Sequence, residues 1–385
     1  MRFWLNRGID GFRLDVINFI SKNQSFPDSD QVVLKGTEYY AAGPRLHEYL
    51  RGIGDVLAEF HAFSVGEMPC VYDPEEIIRS VGADRGELSM IFHFDFVTID
   101  YGPKGKFSPR EWTVSELATI ADKWQRFMYD HDGWNALYVE NHDQPRSVSR
   151  YACDCPKHRV QSAKMLASFI GLQGGTLFVY QGQELGMVNV PKEWPLEEYK
   201  DVEIWNHWKD YKDASPDVQR AVLDQYQKKG RDSSRTPMQW DATRHAGFTA
   251  PGTEPWIRVN PSYRQLNAAA EVADANSTFH FWKRLLAARK LYKDVFVYGD
   301  FALESPHPND SDAKLMAYRR IGMGRDAYVV CNFGEEKEVW EGLPEGSTEG
   351  TVILSSVVKE GKTVSGGETM ELGAFETVVV LVHRE

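Results

Sequence analysis

The stretch Gly8-Ile9-Asp10-Gly11-Phe12-Arg13-Leu14-Asp15-Val16-Ile17-Asn18 decides how the rest of the chain is read. Its apolar residues Ile9, Phe12, Leu14, Val16 and Ile17 read as a buried strand, but Arg13 and Asp15 interrupt it with charges that burial alone would not select. Side chains two residues apart on a strand face the same side. The Arg13 guanidinium is therefore expected beside the Asp15 carboxylate at a strand end, keeping that carboxylate ionised. An isolated Arg-x-Asp pair reads as a structural ion pair. The stretches that follow it give this pair another meaning.

Moving outward, strands alternate with helices. Pro44 opens a helical pattern through Leu46, Leu50, Ile53, Leu57 and Phe60, and the strand Ala62 to Gly66 ends at Glu67. A helix from Pro74 and a strand at Met90 follow. Thr113-Val114-Ser115-Glu116 is a capping box ahead of a helix from Leu117 to Tyr129. Next come the strand Asn135 to Val139, ending in Glu140-Asn141-His142-Asp143, a helix over 157–171 and the strand Thr176 to Tyr180. This alternation predicts βα units around a parallel sheet. Charged residues gather past the strand C-termini, which is the catalytic face of a (β/α)8 barrel. About five βα units are present where such a barrel needs eight, so a partial barrel over 1–295 is expected, with long loops at 182–260. Over 296–385, short alternating strands between Gly-rich turns predict an antiparallel β-sandwich domain.

With 385 residues, 42% hydrophobic and 26% charged, the composition is that of a soluble globular protein. A net charge of -12 argues against nucleic acid or an anionic membrane as partner, and no run approaches a membrane-spanning length. Cys70, Cys153, Cys155 and Cys331 form no disulfide framework, and Cys153-Asp154-Cys155 is too closely spaced for a usual zinc site. They read as free thiols in a reducing, cytoplasmic compartment.

Asp15, Glu67 and Asp143 stand at the ends of three different predicted strands. Retaining glycoside hydrolysis needs one ionised carboxylate as nucleophile and one carboxylic acid to protonate the leaving oxygen. Arg13 would keep Asp15 ionised, and Glu67, following an apolar strand, would need a raised pKa. His142 and Asp143 could hydrogen-bond sugar hydroxyls.

Gly11-Phe12-Arg13-Leu14-Asp15, Val65-Gly66-Glu67 and Glu140-Asn141-His142-Asp143-Gln144-Pro145-Arg146 resemble, in order, the second, third and fourth signature regions of the α-amylase family of glycoside hydrolases. Three further stretches are similar to the oligo-1,6-glucosidase and α-glucosidase subgroup. These are Gly43 to Glu48, Tyr180-Gln181-Gly182-Gln183-Glu184-Leu185-Gly186-Met187 and Arg235-Thr236-Pro237-Met238-Gln239-Trp240-Asp241. The resemblance covers nearly the whole chain and weakens after about residue 296.

It implies Asp15 as nucleophile, Glu67 as general acid/base and Asp143 as transition-state stabiliser. It further implies that Arg13, His142 and Arg235 contact the nucleophile or the glucose being cleaved, with Arg146 on the leaving-group side. Val16, next to the implied nucleophile, goes with α-1,6 linkages in this subgroup and Thr with α-1,4, although a strand would also select a β-branched residue.

The implied activity is that of an exo-acting α-glucosidase on short oligosaccharides, monomeric when full length, with no cofactor and no metal. The alternatives are a trehalose-6-phosphate hydrolase and a non-catalytic relative serving as an interaction module. The family's first signature region does not occur in these residues, so the chain by itself is expected to be inactive.

Overall fold

The computed structural model describes residues 1–31, 34–307 and 309–384. Five parallel strands, adjacent in space in the order they occur in the chain, carry the first part of the molecule. They are β1 (Gly11–Leu14), β2 (Phe63–Glu67), β3 (Met90–Phe92), β4 (Ala136–Leu137) and β5 (Thr176–Leu177). β1 pairs with β2 and β2 with β3, a parallel bridge from Ile91 to Asn135 leads on to β4, and β4 pairs with β5. The longer helices between them are α1 (Leu46–Glu59), α2 (Pro74–Val81), α3 (Val114–Asp130) and α4 (Arg159–Gly171). Each strand-helix-strand step is the crossover that a parallel pair requires.

Local chemistry sets these boundaries. At the start of α3 the Thr113 hydroxyl accepts from the Glu116 N–H at 3.1 Å, and the Glu116 carboxylate accepts from the Thr113 N–H at 2.9 Å. The expected capping box is therefore closed on both sides. α1 buries Leu46, Leu50, Gly54 and Leu57, one face at helical spacing. That face packs with Ile77, Val81, Ile91 and Trp124 to form the layer between strands and helices. On the opposite face of the strands Val65, Met90 and Ala136 meet Phe92, Trp134 and Phe178.

Three expectations are revised. β1 is only four residues long, so Ile9, Val16 and Ile17 lie outside it; Val16 has φ 34 and ψ 46 and caps a short 3-10 turn, Ile17–Phe19. The segment 182–260 is not loop throughout. It holds α5 (Val202–Trp208) and α6 (Pro216–Lys229), which share a small core of Val190, Trp194, Tyr199, Ile204 and Tyr226. The many prolines, tryptophans and charges there hide a helical face only a few residues wide.

The third revision concerns the C-terminal part, which is antiparallel as expected but lopsided as a sandwich. α7 (Thr278–Leu291) leads into β6 (Asp300–Ser305), β7 (Leu315–Ile321), β8 (Arg325–Asn332), β9 (Glu338–Trp340), β10 (Gly350–Ser355), β11 (Thr363–Val364), β12 (Met370–Leu372) and β13 (Thr377–His383). Six of these strands form one sheet in the order β11-β10-β13-β8-β7-β6, and β9 and β12 form a two-stranded ribbon. The ribbon covers one face of the sheet through Trp340 and Leu372 against Val330 and Val380. The other face packs Met316, Tyr318, Val329 and Val379 onto Leu166 and Phe169 of α4 and Phe281 of α7. With packing on both sides of α4, every residue from Ser162 to Gly171 is buried.

Among the described residues, no helix is long and apolar enough to cross a membrane.

α1 approaches the loop after α2 at Gly54, where a Cβ would lie 1.9 Å from the Gly86 carbonyl oxygen. Backbone cannot yield as a side-chain tip can. Gly54→Ala is expected to cost about 1–3 kcal/mol of overpacking, seen as a lower urea midpoint at unchanged slope; an unchanged midpoint would contradict this contact.

Candidate functional site

β1 and β2 run in register with Arg13 opposite Val65 and Leu14 opposite Gly66. Arg13, Val65 and, two residues on, Glu67 therefore share one face of the sheet. Gly66 turns to the other face, where a Cβ would meet Leu88 at 2.8 Å and Ile17 at 2.9 Å. The small residue lets the strand end lie close to the helical layer while Glu67 points inward.

One guanidinium links two carboxylates. Arg13 donates through Nη1 to Asp15 Oδ1, and its Nη2 lies 2.7 Å from Glu67 Oε2. The same Glu67 oxygen accepts the Val16 N–H at 3.3 Å. That contact depends on the left-handed backbone of Val16, a conformation that costs a β-branched residue about 1–3 kcal/mol. Strand preference therefore does not account for a valine here.

The two carboxylates differ in surroundings and are displaced in opposite directions. The Asp15 side chain is 74% exposed, and its hydrogen bond to Arg13 outweighs burial and holds its pKa below the usual carboxylate range. Glu67 is 6% exposed. Burial pushes its pKa up, Arg13 and the Val16 N–H oppose that, and the charges of Asp15 and Asp143 reinforce it, leaving it raised.

Past β4, Asp143 is held from several directions. Its N–H donates to Asn141 Oδ1 at 2.8 Å, His142 Nε2 lies 3.1 Å from its Oδ2, and Arg235 Nη2 lies 2.6 Å from its Oδ1. Arg235 Nε also donates to the His142 carbonyl at 2.8 Å. The structure thus joins Arg13, Val16, Asp15 and Glu67 in one group, and His142, Asp143 and Arg235 in a second. Arg13 and His142 line the same cavity of about 320 Å³, walled by Phe92, Tyr138, Phe178 and Tyr180. A larger cavity of about 520 Å³, lined by Gly54, Ser64, Glu87 and Trp134, lies at the opposite ends of the strands, away from these carboxylates.

Arg146 is a correction. The side chain expected on the leaving-group side is 1% exposed and out of reach of any ligand. It donates to Glu140 Oε1 at 3.2 Å, the Gln181 carbonyl at 2.7 Å and the Ser233 carbonyl at 3.4 Å. A buried carboxylate, Glu140, needed a buried cation, so Arg146 pins three loops together instead.

Arg231 is the residue that sequence reasoning missed. Its Nη1 lies 3.2 Å from Asp143 Oδ1, and its Nε donates to Asp201 at 2.9 Å. The signal was its position four residues before Arg235, which places both on one face of a helical turn. Among the described residues, no group of three His, Cys, Asp or Glu is arranged to hold a metal ion.

Because native Glu67 holds its proton more tightly than unfolded Glu67, its contribution to stability is complete below the unfolded pKa. It is lost as pH rises through the folded one. Glu67→Gln removes that dependence. The melting temperature of Glu67→Gln relative to wild type is expected to climb between pH 4 and pH 8; a constant difference would remove the raised pKa.

Comparison with known proteins gives the family. The family model "Alpha amylase, catalytic domain" matches residues 1–299. The chain is 47% identical over 364 residues to an alpha-glucosidase of Schizosaccharomyces pombe, covering 92% of this chain and 62% of that protein. It is 42% identical over 351 residues to an oligo-1,6-glucosidase of Parageobacillus thermoglucosidasius, covering 90% and 60%. Against the trehalose-6-phosphate hydrolase of Bacillus subtilis it is 39% identical over 383 residues, covering 98% and 65%. Among solved structures, the trehalose-6-phosphate hydrolase of Bacillus licheniformis superposes with a TM-score of 0.88 at 35% identity, covering 100% of this chain and 67% of that one. Isomaltulose synthase of Erwinia rhapontici gives 0.90 at 31%, covering 99% and 66%. The chain spans about 60% of the length of the curated relatives it matches. With five parallel strands, an antiparallel C-terminal sheet and three carboxylates at strand ends, the chain belongs to the α-amylase family.

Proposed function

We propose that these residues form the reactive part of a retaining, exo-acting α-glucosidase that cleaves terminal α-1,6 bonds of short oligosaccharides. The observation that carries this reading is the single guanidinium between an exposed carboxylate with a lowered pKa and a buried one with a raised pKa. Two carboxyl groups pushed apart in pKa are what acid and nucleophile require. Asp15 attacks the anomeric carbon while Glu67 protonates the departing oxygen, giving a covalent glucosyl-Asp15 intermediate. Glu67, now ionised, takes a proton from water, which attacks that intermediate and frees the sugar with its configuration retained. Asp143, with its two arginines and His142, holds the ring hydroxyls as the ring flattens. Phe92, Tyr138, Phe178 and Tyr180 offer apolar faces to the sugar.

The five parallel strands are read as the last five of an eight-stranded barrel. The spacing of the strands and the share of the relatives' length that is matched support this. Kinetic tests of the carboxylates therefore use a protein in which the barrel is closed, and the 385-residue chain alone is expected to release no glucose. The four thiols, free in the structure, support a cytoplasmic setting.

In the closed barrel, Asp15→Asn is expected to lower kcat by about 10⁴-fold, some 5.4 kcal/mol of barrier, with the melting temperature little changed. Near-normal turnover would end the nucleophile assignment. The pH profile of kcat/KM should be a bell, with its acid limb set by Asp15 below the ordinary carboxylate range and its alkaline limb by Glu67 above it.

Linkage is tested with isomaltose, maltose and trehalose 6-phosphate. Val16→Thr should move the kcat/KM ratio toward maltose by about 10- to 200-fold, the range open to a single small group in a pocket. A ratio that stays put would remove Val16 from specificity. Trehalose 6-phosphate as the best substrate would favour the phosphate-specific reading, and a closed barrel without hydrolysis of any α-glucoside would favour the interaction module.

A further inference from the structure

Arg231 and Arg235 reach Asp143 from the segment after α6, a segment that belongs to no strand. Two residues before Arg231, Lys229 places its Nζ 2.6 Å from each oxygen of Asp100. The same carboxylate receives Arg150 through Nη2 at 2.5 Å and Nε at 3.1 Å. Arg150 in turn donates Nη1 to Gln144 Oε1 at 2.8 Å and Nη2 to the Val97 carbonyl at 2.7 Å. Gln144 follows Asp143 directly, and the Ser234 hydroxyl donates to its carbonyl. Asp100, Lys229 and the Arg150 side chain are all buried, and none of them lines the cavity beside the carboxylates.

The contacts tie three otherwise separate segments: the turn that follows β3, the stretch after β4 that carries Asp143, and the segment with Arg231 and Arg235. Two basic side chains around one carboxylate are a costly way to fill buried space, since burial pushes Lys229 down to about 6 against the pull of Asp100, and apolar side chains of similar volume would stabilise as well or better. What an ion cluster adds is direction, because each bond fixes a distance and an angle. Burial pushes the Asp100 carboxyl up, but Arg150 and Lys229 outweigh it and hold it below its usual range. Around the cluster stand Tyr101, whose ring centroid is 5.0 Å from Lys229 Nζ, and the ion pair of Lys106 with Glu203 at 3.0 Å.

We infer that Asp100 is a positioning residue: through Lys229 and Arg150 it locks the 229–235 segment against the 143–150 segment and so sets how Arg231 and Arg235 meet Asp143. This rests on the proposed role of Asp143, and its test is arranged so that the two can fail separately.

Lys229→Met frees the arginine segment while leaving Asp100 paired with Arg150, and Lys229→Arg keeps a cation in place. In the native 385-residue chain, tryptic cleavage after Arg231 or Arg235 should rise about tenfold in Lys229→Met, corresponding to about 1.4 kcal/mol of easier local opening. It should return toward wild type in Lys229→Arg, with cleavage in the C-terminal sheet unchanged in both. Asp100→Asn should resemble Lys229→Met at the same sites. In the closed barrel, Lys229→Met should lower kcat/KM on isomaltose by about 100-fold. Combined with Arg235→Lys, it should cost little more than the larger single loss, since both act through one contact.

Unchanged cleavage after Arg231 and Arg235, or an equal rise throughout the chain, would overturn the inference, as would rate losses that simply multiply. If Asp15→Asn proves fully active, the proposed function fails, and the cleavage pattern still decides whether Asp100 holds the segment.

Discussion

The Arg13 guanidinium, shared between Asp15 and Glu67, is the interaction on which the candidate site depends. A lone buried Glu67 would have no partner to orient it, and a lone exposed Asp15 would be free to turn. One planar cation bonded to both orients them together. Burial still prevails at Glu67, because its charged form loses more to desolvation than Arg13 and the Val16 N–H restore. The opposite balance holds at Asp15, where water is close and the Arg13 bond dominates. Two residues of the same chemistry are thereby displaced in opposite directions from the ordinary carboxylate pKa by their surroundings.

Everything around that pair serves to keep it in place. The strand pairing sets Arg13 level with Val65, so Glu67 can lie one step further along on the same face. Gly66 lets the strand end close on Leu88 and Ile17. Val16 accepts a left-handed backbone so that its N–H can reach Glu67. Behind the strands, the C-terminal sheet packs Tyr318 and Val379 against α4 and makes it a central element of the core. Arg289 strengthens that junction by donating to the carbonyls of Gly171, Gln173, Gly175 and Phe296. Asp143 is held differently, by loops joined to one another through ion pairs.

Much of this was legible before the structure, and the reasons differ from residue to residue. The alternation of apolar strands with amphipathic helices is a local property, and the α3 capping box lies within four residues. Asp15, Glu67 and Asp143 were recognisable because strand ends in a parallel sheet lie on one side, so position along the chain stood in for position in space. Arg235 followed from its motif, and the structure seats it on Asp143. Arg146 belonged to an equally clear motif yet is buried on Glu140, since no local pattern tells a guanidinium that faces a cavity from one that faces a carboxylate. Helices α5 and α6 escaped notice because their buried faces are completed by Trp194 and Tyr199, outside either helix.

The amino-acid sequence by itself determined the order of the five parallel strands and of the helices that join them, the family, and the three carboxylates at the strand ends. Periodicity, capping and motif spacing act over a few residues and need no partner. Tertiary structure alone decided that the valine after Asp15 stands in a left-handed turn with its N–H on Glu67, that Arg231 meets Asp143, and that Lys229 meets Asp100. Such properties come from burial and from charges brought together across as many as 129 residues of chain. Electrostatic interaction depends on distance through space and on the local dielectric, and neither can be read from separation along a sequence.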